Sequence, residues 1–191
     1  YKKQNTLGSY FLFFFFALDN VYGIIVTMMK ENKVYVAKAK IGKRIFANSP
    51  IRKNEIILAV KGVKRSGDEE EKLNKKTRDN MYRLNKNYYT SPEGDISAYI
   101  NHSCTPNSTV VKNGKDLFIK ALVDIDKGSE IVFDYSTIIA SDDIWTMNCR
   151  CNTSDCRGIV KKFAKLPKKL RQHYIDKKIV PKYILKINEN L

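Results

Sequence analysis

The sequence predicts a mainly β fold of small sheets with α-helical additions, closed at its C-terminal end by a metal site. Three observations carry this. Short alternating apolar–polar runs follow one another through tight turns, too closely for βαβ units. A string of small polar groups, Asn101-His102-Ser103-Cys104-Thr105-Pro106-Asn107, lies between an apolar patch at 96–100 and a strand-like one at 108–111, which marks a polar loop held inside a core. Four cysteines, at 104, 149, 151 and 156, supply the set for a single ion.

The chain of 191 residues suits one domain with a real core, and 43% hydrophobic content excludes a disordered polymer. Against 20 acidic residues stand 35 Lys and Arg, a formal charge of +15. Such a charge draws acidic partners (nucleic acid, acidic protein tails or anionic membrane) without choosing among them. Cys149 and Cys151 are spaced for thiolates converging on one ion, so tetrahedral zinc in a reducing compartment fits better than the alternative of disulfides. Four sulfurs leave no open coordination position, so the ion is expected to be structural, tying the C-terminal segment to the 101–107 loop.

In chain order, residues 1–28 form an apolar segment of doubtful status. Its run from Tyr10 to Leu18 is too short for a bilayer, which takes about 20 residues. Three readings stand: a signal-like leader, an apolar element packed on the domain, or upstream sequence ahead of a start at Met28 or Met29, the last being favoured. Membrane association is not expected. Alternation predicts a strand over 33–39, a turn at Ile41-Gly42-Lys43-Arg44, a strand from Ile45 to Ala47, and another over 56–60 after the turn at 50–55.

Residues 63–93, acidic then basic, read as a polar helical or loop insertion on the surface, a candidate wall for a substrate groove. A hairpin with an Asn113-Gly114 turn is predicted for 110–121 and a strand for 131–133, ending at Asp134-Tyr135. His102 beside Ser103 lacks a recognisable orienting acid, which argues against hydrolytic chemistry. After the cysteine segment at 145–160, a basic tail over 161–191 carries Phe163, Leu166, Leu170 and Tyr174 at steps of three and four. It reads as an amphipathic helix starting near Pro167 and ended by Val180-Pro181. Packing on the domain is its plainer reading, with nucleic-acid binding as the alternative.

The motifs Asn101-His102-Ser103-Cys104-x-Pro106-Asn107, Asp124-Ile125-x-x-Gly128-x-Glu130-Ile131-x-Phe133-Asp134-Tyr135 and Cys149-x-Cys151-x4-Cys156-Arg157-Gly158 resemble the SET-domain protein lysine methyltransferases with a post-SET zinc segment. Ile41-Gly42-Lys43-Arg44-Ile45-Phe46-Ala47 and Ile51-x-Lys53-x-Glu55-Ile56-Ile57 look like that family's N-terminal half. The resemblance implies a SET domain over 33–136, small curled sheets around a knot-like loop, and methyl transfer from S-adenosylmethionine to a protein lysine, a histone foremost.

It further implies Tyr135, Phe133 and Tyr99 at the reacting centre, and Gly42, Lys43, Arg44, Asn101, His102 and Trp145 at the cofactor. Cys104, Cys149, Cys151 and Cys156 would hold zinc. Phe133 occupies the position where, in that family, phenylalanine tends to permit di- or trimethylation and tyrosine tends to limit the product to monomethyl-lysine. A nuclear, chromatin-bound or cytoplasmic location follows from the same likeness. Departures from the family pattern are Arg44 for a second glycine, Asp95 for asparagine, Ala98 for arginine and Val60 for an aromatic residue.

Overall fold

The computed structural model describes residues 32–39, 42–70 and 72–189; the expectations for 1–28 and for Ile41 lie outside the described residues. The first expected pair of strands is present as β1 (Val34–Lys38) and β2 (Lys43–Ala47), antiparallel, with Val34 opposite Ala47. Gly42 carries the turn at φ +70, a left-handed conformation that a side chain disfavours. β3 (Ile56–Val60) occupies the predicted span.

The 63–93 stretch departs from its expectation. Among its described residues it is a three-stranded antiparallel sheet, β4 (Val63–Ser66), β5 (Tyr82–Arg83) and β6 (Tyr88–Ser91), in the order β4-β6-β5. Its helices are single turns, α1 (Gly67–Glu70) and α2 (Lys75–Asp79), the latter capped by the Asn74 side chain on the Thr77 N–H. The acidic-to-basic order that suggested a helix dipole is outweighed by β-forming Tyr88-Tyr89-Thr90 and by Arg83. Arg83 is 3% exposed and binds Asp142 through both terminal nitrogens and Asp143 through one, which pins the sheet to the body of the domain.

A 3-10 turn over Ile96–Tyr99, capped by Asp95, delivers the chain to β7 (Asn101–His102). β8 (Ser108–Asn113) and β9 (Asp116–Ala121) form the expected hairpin, its turn shifted by one residue to Gly114-Lys115. Gly114, at φ +57, takes the first central position, where a two-residue hairpin loop calls for positive φ.

β10 (Val132–Phe133) then enters between β7 and β8, parallel to both, completing a five-stranded sheet of order β3-β9-β8-β10-β7. The 101–108 segment therefore passes around β10: Ser103 N–H donates to the Phe133 carbonyl on one side, and Ser108 Oγ donates to the Val132 carbonyl on the other. Asn107 locks the crossing, its amide donating to the Glu130 carbonyl at 2.7 Å and accepting from Val132 N–H at 3.0 Å.

After a 3-10 turn at Tyr135–Ile138, β11 (Met147–Asn148) and β12 (Ile159–Val160) clasp the cysteine segment. The tail holds two helices, where one had been expected. α3 (Lys168–Asp176) follows Pro167 as predicted but ends at Lys177, and α4 (Lys182–Glu189) begins after Pro181, a residue that opens a helix as readily as it stops one.

Two apolar cores support these elements. One gathers Ile45, Ile51, Ile119, Ile131 and Phe133 between the sheets. The other joins Ala140, Phe163, Leu166, Tyr174 and Ile184, so the apolar stripe of the tail is used in packing.

Candidate functional site

The crossing of β7, β8 and β10 sets the polar residues of 101–107 against those of 133–135. His102 is buried; its Nδ1 accepts the Tyr135 backbone N–H at 3.2 Å, so the neutral ring carries its proton on Nε2, 3.4 Å from Cys104 Sγ. Burial holds the imidazole pKa down to about 4 against the opposing pull of Asp134, and Arg157 adds to the depression. An acid does stand beside this histidine, Asp134 Oδ1 at 3.5 Å from Nδ1, hidden from a linear reading. The Ser103 hydroxyl, however, exchanges hydrogen bonds with Thr105, and no nucleophile–base pair forms.

Tyr135 donates its phenol proton to the Ile100 carbonyl at 2.7 Å. Burial, with the Glu130 charge adding, pushes its ionisation above the ordinary tyrosine range, so the group is a neutral phenol. Its ring continues a line of aromatics: Tyr82 stacks on Phe133 at 5.7 Å, Phe133 lies 4.8 Å from Tyr135, and Tyr135 lies 6.1 Å from Trp145. These four rings line one cleft, whose rim includes Asp79 and Asp143. The Trp145 indole N–H donates to Asp79 at 2.9 Å, bridging the cysteine segment to α2 across the cleft.

Tyr82 was missed at the sequence level: its hydroxyl donates to the Ser97 carbonyl and its ring forms a wall, but a single aromatic residue in a polar stretch gave no signal. Tyr99 does not line this cleft. Ala98 and Ile100 face it, while the Tyr99 ring meets Lys43 Nζ at 4.9 Å toward β2.

A second cluster flanks the crossing. Arg44 Nη1 donates to Glu130 Oε2 at 2.8 Å, and the Asn101 amide donates to the other oxygen of that carboxylate at 3.1 Å. Among the described residues an added Cβ at Gly42 would have no atom within 4 Å, so the turn backbone stands open beside them. The sequence-selected Gly42, Lys43 and Arg44 thus share a strand end. Asn101 joins them through Glu130, which sequence reading had not singled out. Trp145 lies instead with the aromatic cleft.

The four cysteines converge as expected, their sulfurs all within 4.8 Å of one another and Cys104 Sγ 3.7 Å from Cys149 Sγ. A tetrahedron with Zn–S bonds of about 2.3 Å sets sulfurs about 3.8 Å apart, whereas a disulfide needs about 2.05 Å, so the set fits zinc. Cys104 comes from the 101–107 loop and accepts the Arg157 backbone N–H. The Arg157 side chain reaches buried Asp134 at 2.8 Å, and the Tyr174 hydroxyl of α3 donates to the other oxygen of that carboxylate at 2.9 Å. One carboxylate next to Tyr135 therefore gathers the cysteine segment and the tail.

Residues 42–136 match the SET domain family. Among curated relatives, a histone-lysine N-methyltransferase specific for H3 lysine 4 from Emericella nidulans is 33% identical over 86 residues, 42% of this chain and 7% of that protein. The Saccharomyces cerevisiae protein of the same description is 31% identical over 86 residues, covering 42% and 8%. That of Candida albicans is 26% identical over 145 residues, covering 70% and 14%. The chain thus spans a small part of the length of these relatives.

Proposed function

We propose that this chain, whose residues 42–136 are a SET domain, transfers methyl groups to the side-chain amine of a protein lysine, with a histone as substrate. The observation that carries the reading is the neutral Tyr135 phenol within an aromatic cleft, between Phe133 and Trp145, anchored on the Ile100 carbonyl and set beside the Asn101-His102 strand. S-adenosylmethionine would supply an electrophilic sulfonium methyl; the open backbone at Gly42, with Lys43, Arg44, Asn101 and His102, would hold it. An amino-acid moiety carries both charges, and Arg44 and Glu130 offer both counter-charges at that strand end.

The chain's own groups would do the rest. An alkyl ammonium is attracted to aromatic faces, so Tyr82, Phe133 and Trp145 would draw the lysine stem in. Their apolar surface would favour the neutral amine needed for attack. The Tyr135 oxygen, its proton committed to Ile100, keeps a lone pair free to orient the amine, and that alignment is worth several orders of magnitude in rate. Phe133 places no hydroxyl in the cleft, which leaves room for di- and trimethyl products. The four cysteines would hold one structural zinc, and a reducing nuclear or cytoplasmic compartment suits them.

Transfer of labelled methyl to histones, with Tyr135→Phe alongside, tests the reading. We expect turnover to fall about 100-fold or more, with a stability loss of only about 1 kcal/mol from the Ile100 carbonyl left without its donor. Undiminished transfer by the variant would overturn the role of Tyr135. Mass analysis of Phe133→Tyr is expected to shift products toward monomethyl-lysine, and an unchanged product spectrum would remove the size argument.

A further inference from the structure

A second groove lies on the far side of the insertion sheet. Tyr82 and Arg83 of β5 line the aromatic cleft, whereas the next residues, Leu84 and Asn85, line this groove. Its rims are the β3–β4 turn with the start of β4, carrying Lys61 and Lys64, and the β8–β9 hairpin, carrying Lys112 and Lys115. Among the described residues none of these four makes an ion pair. The carboxylates of Glu55, Glu93, Asp79, Glu130, Asp134, Asp142 and Asp143 are all engaged elsewhere by a Lys or Arg. One carboxylate, Asp116, stands at the rim.

Two of the four charges are also held in place. Lys64 Nζ sits 3.6 Å over the Tyr88 ring, and Lys112 Nζ donates to the Leu84 carbonyl and lies 5.2 Å from the Tyr183 ring. We infer that this groove binds the phosphodiester backbone of nucleic acid.

The chemistry favours phosphate over an acidic protein surface. Carboxylate recognition draws on arginine forks, and the arginine next to this rim, Arg65, is already turned to Glu93. Lysines spaced along a trough act as point charges, which suits a polyanion tracked without regard to sequence. At the hairpin tip, nothing lies within 4 Å of a Cβ placed on Gly114, so a phosphate can approach the turn backbone. The basic tail, the nucleic-acid candidate from sequence alone, spends its apolar stripe on the core.

The test is direct binding of a short labelled duplex to the full chain across about 50 to 200 mM salt. Lys61→Ala/Lys64→Ala/Lys115→Ala is compared with Lys168→Ala/Lys169→Ala/Lys177→Ala on α3 and its C-cap. With three to four phosphates neutralised, log K should fall against log salt with a slope of about −3 to −4 for the wild type, and the groove variant should lose about 3 of that slope. The tail variant should bind nearly as the wild type does.

None of the groove lysines lines the aromatic cleft, so methyl transfer to a free peptide should be unchanged in the groove variant, and the binding assay stands whether or not transfer is observed. Wild-type affinity retained by the groove variant would overturn the inference, as would loss confined to the tail variant or no duplex binding at low salt. Displacement of the duplex by polyglutamate at equal charge would reassign the groove to acidic proteins. Thermal melting of each variant identifies any loss that comes from unfolding.

Discussion

The segments 101–108 and 145–160 meet at Cys104, yet different forces hold them. The first threads past β10 with His102, Ser103, Cys104 and Ser108 buried, each polar group answered by a backbone or side-chain partner. In the second, only Val160 is buried; its order comes from a two-residue ladder, three cysteines and Arg157. One is a polar insert stabilised by the apolar core around it, and the other is a nearly coreless strap stabilised by sulfur and charge. Tyr135 stands between them, with its backbone on His102 and its ring toward Trp145.

The largest effect should come from removing the zinc proposed for the four cysteines. Because the energy of binding a structural zinc is also folding energy, a chelator should leave 145–160 exchanging freely with deuterium while 108–121 stays protected. Retained protection across 145–160 would show that the strap folds without an ion and would erase the contrast. A middling effect is expected for the thread. Asn107→Ala strips two hydrogen bonds and leaves the Glu130 carbonyl and the Val132 N–H without them, so the denaturant midpoint should fall by the equivalent of about 2 kcal/mol. A change within error would mean that water replaces the amide and that the crossing is held by packing alone.

The smallest belongs to the periphery, where Lys33 binds Glu55 and the Ile56 carbonyl. Lys33→Ala should cost no more than about 1 kcal/mol, in keeping with half-exposed pairs. The Lys33 hydrogen bond, then the Arg52 backbone N–H, holds the Glu55 carboxyl below its ordinary 4.5. That stabilisation is fully present above the ordinary value and is lost as pH falls through the lowered one, so the difference between variant and wild type should shrink in acid. A difference that grows in acid would contradict the assignment.

What could be read from the sequence follows the same divide. Strand β3 and the β8–β9 hairpin were legible because alternation and a glycine turn are local signals. The cysteine set was legible because thiol chemistry restricts its partners. Asp134 was not: its partners His102, Arg157 and Tyr174 lie far along the chain on both sides, and a carboxylate gives no hint of what it will meet. The insertion sheet was hidden by surface charge that outnumbers its few inward residues, Tyr82 and Arg83 among them. Pro181 was read as a stop when its position also suits a start, which concealed α4.

The place of β10 between β7 and β8 also governs how this molecule comes into being. Both neighbours leave the ribosome first, and the strand that must lie between them follows the whole β9 hairpin arm and its turn. Until it arrives, the 101–107 loop has nothing to wrap, and the polar groups destined for burial remain in water. Closure of the sheet is thus a late, long-range event, of the kind that slows folding and leaves unpaired edges exposed while the chain waits. Tyr135, two residues beyond that strand, takes its place only when the last gap in the sheet is filled.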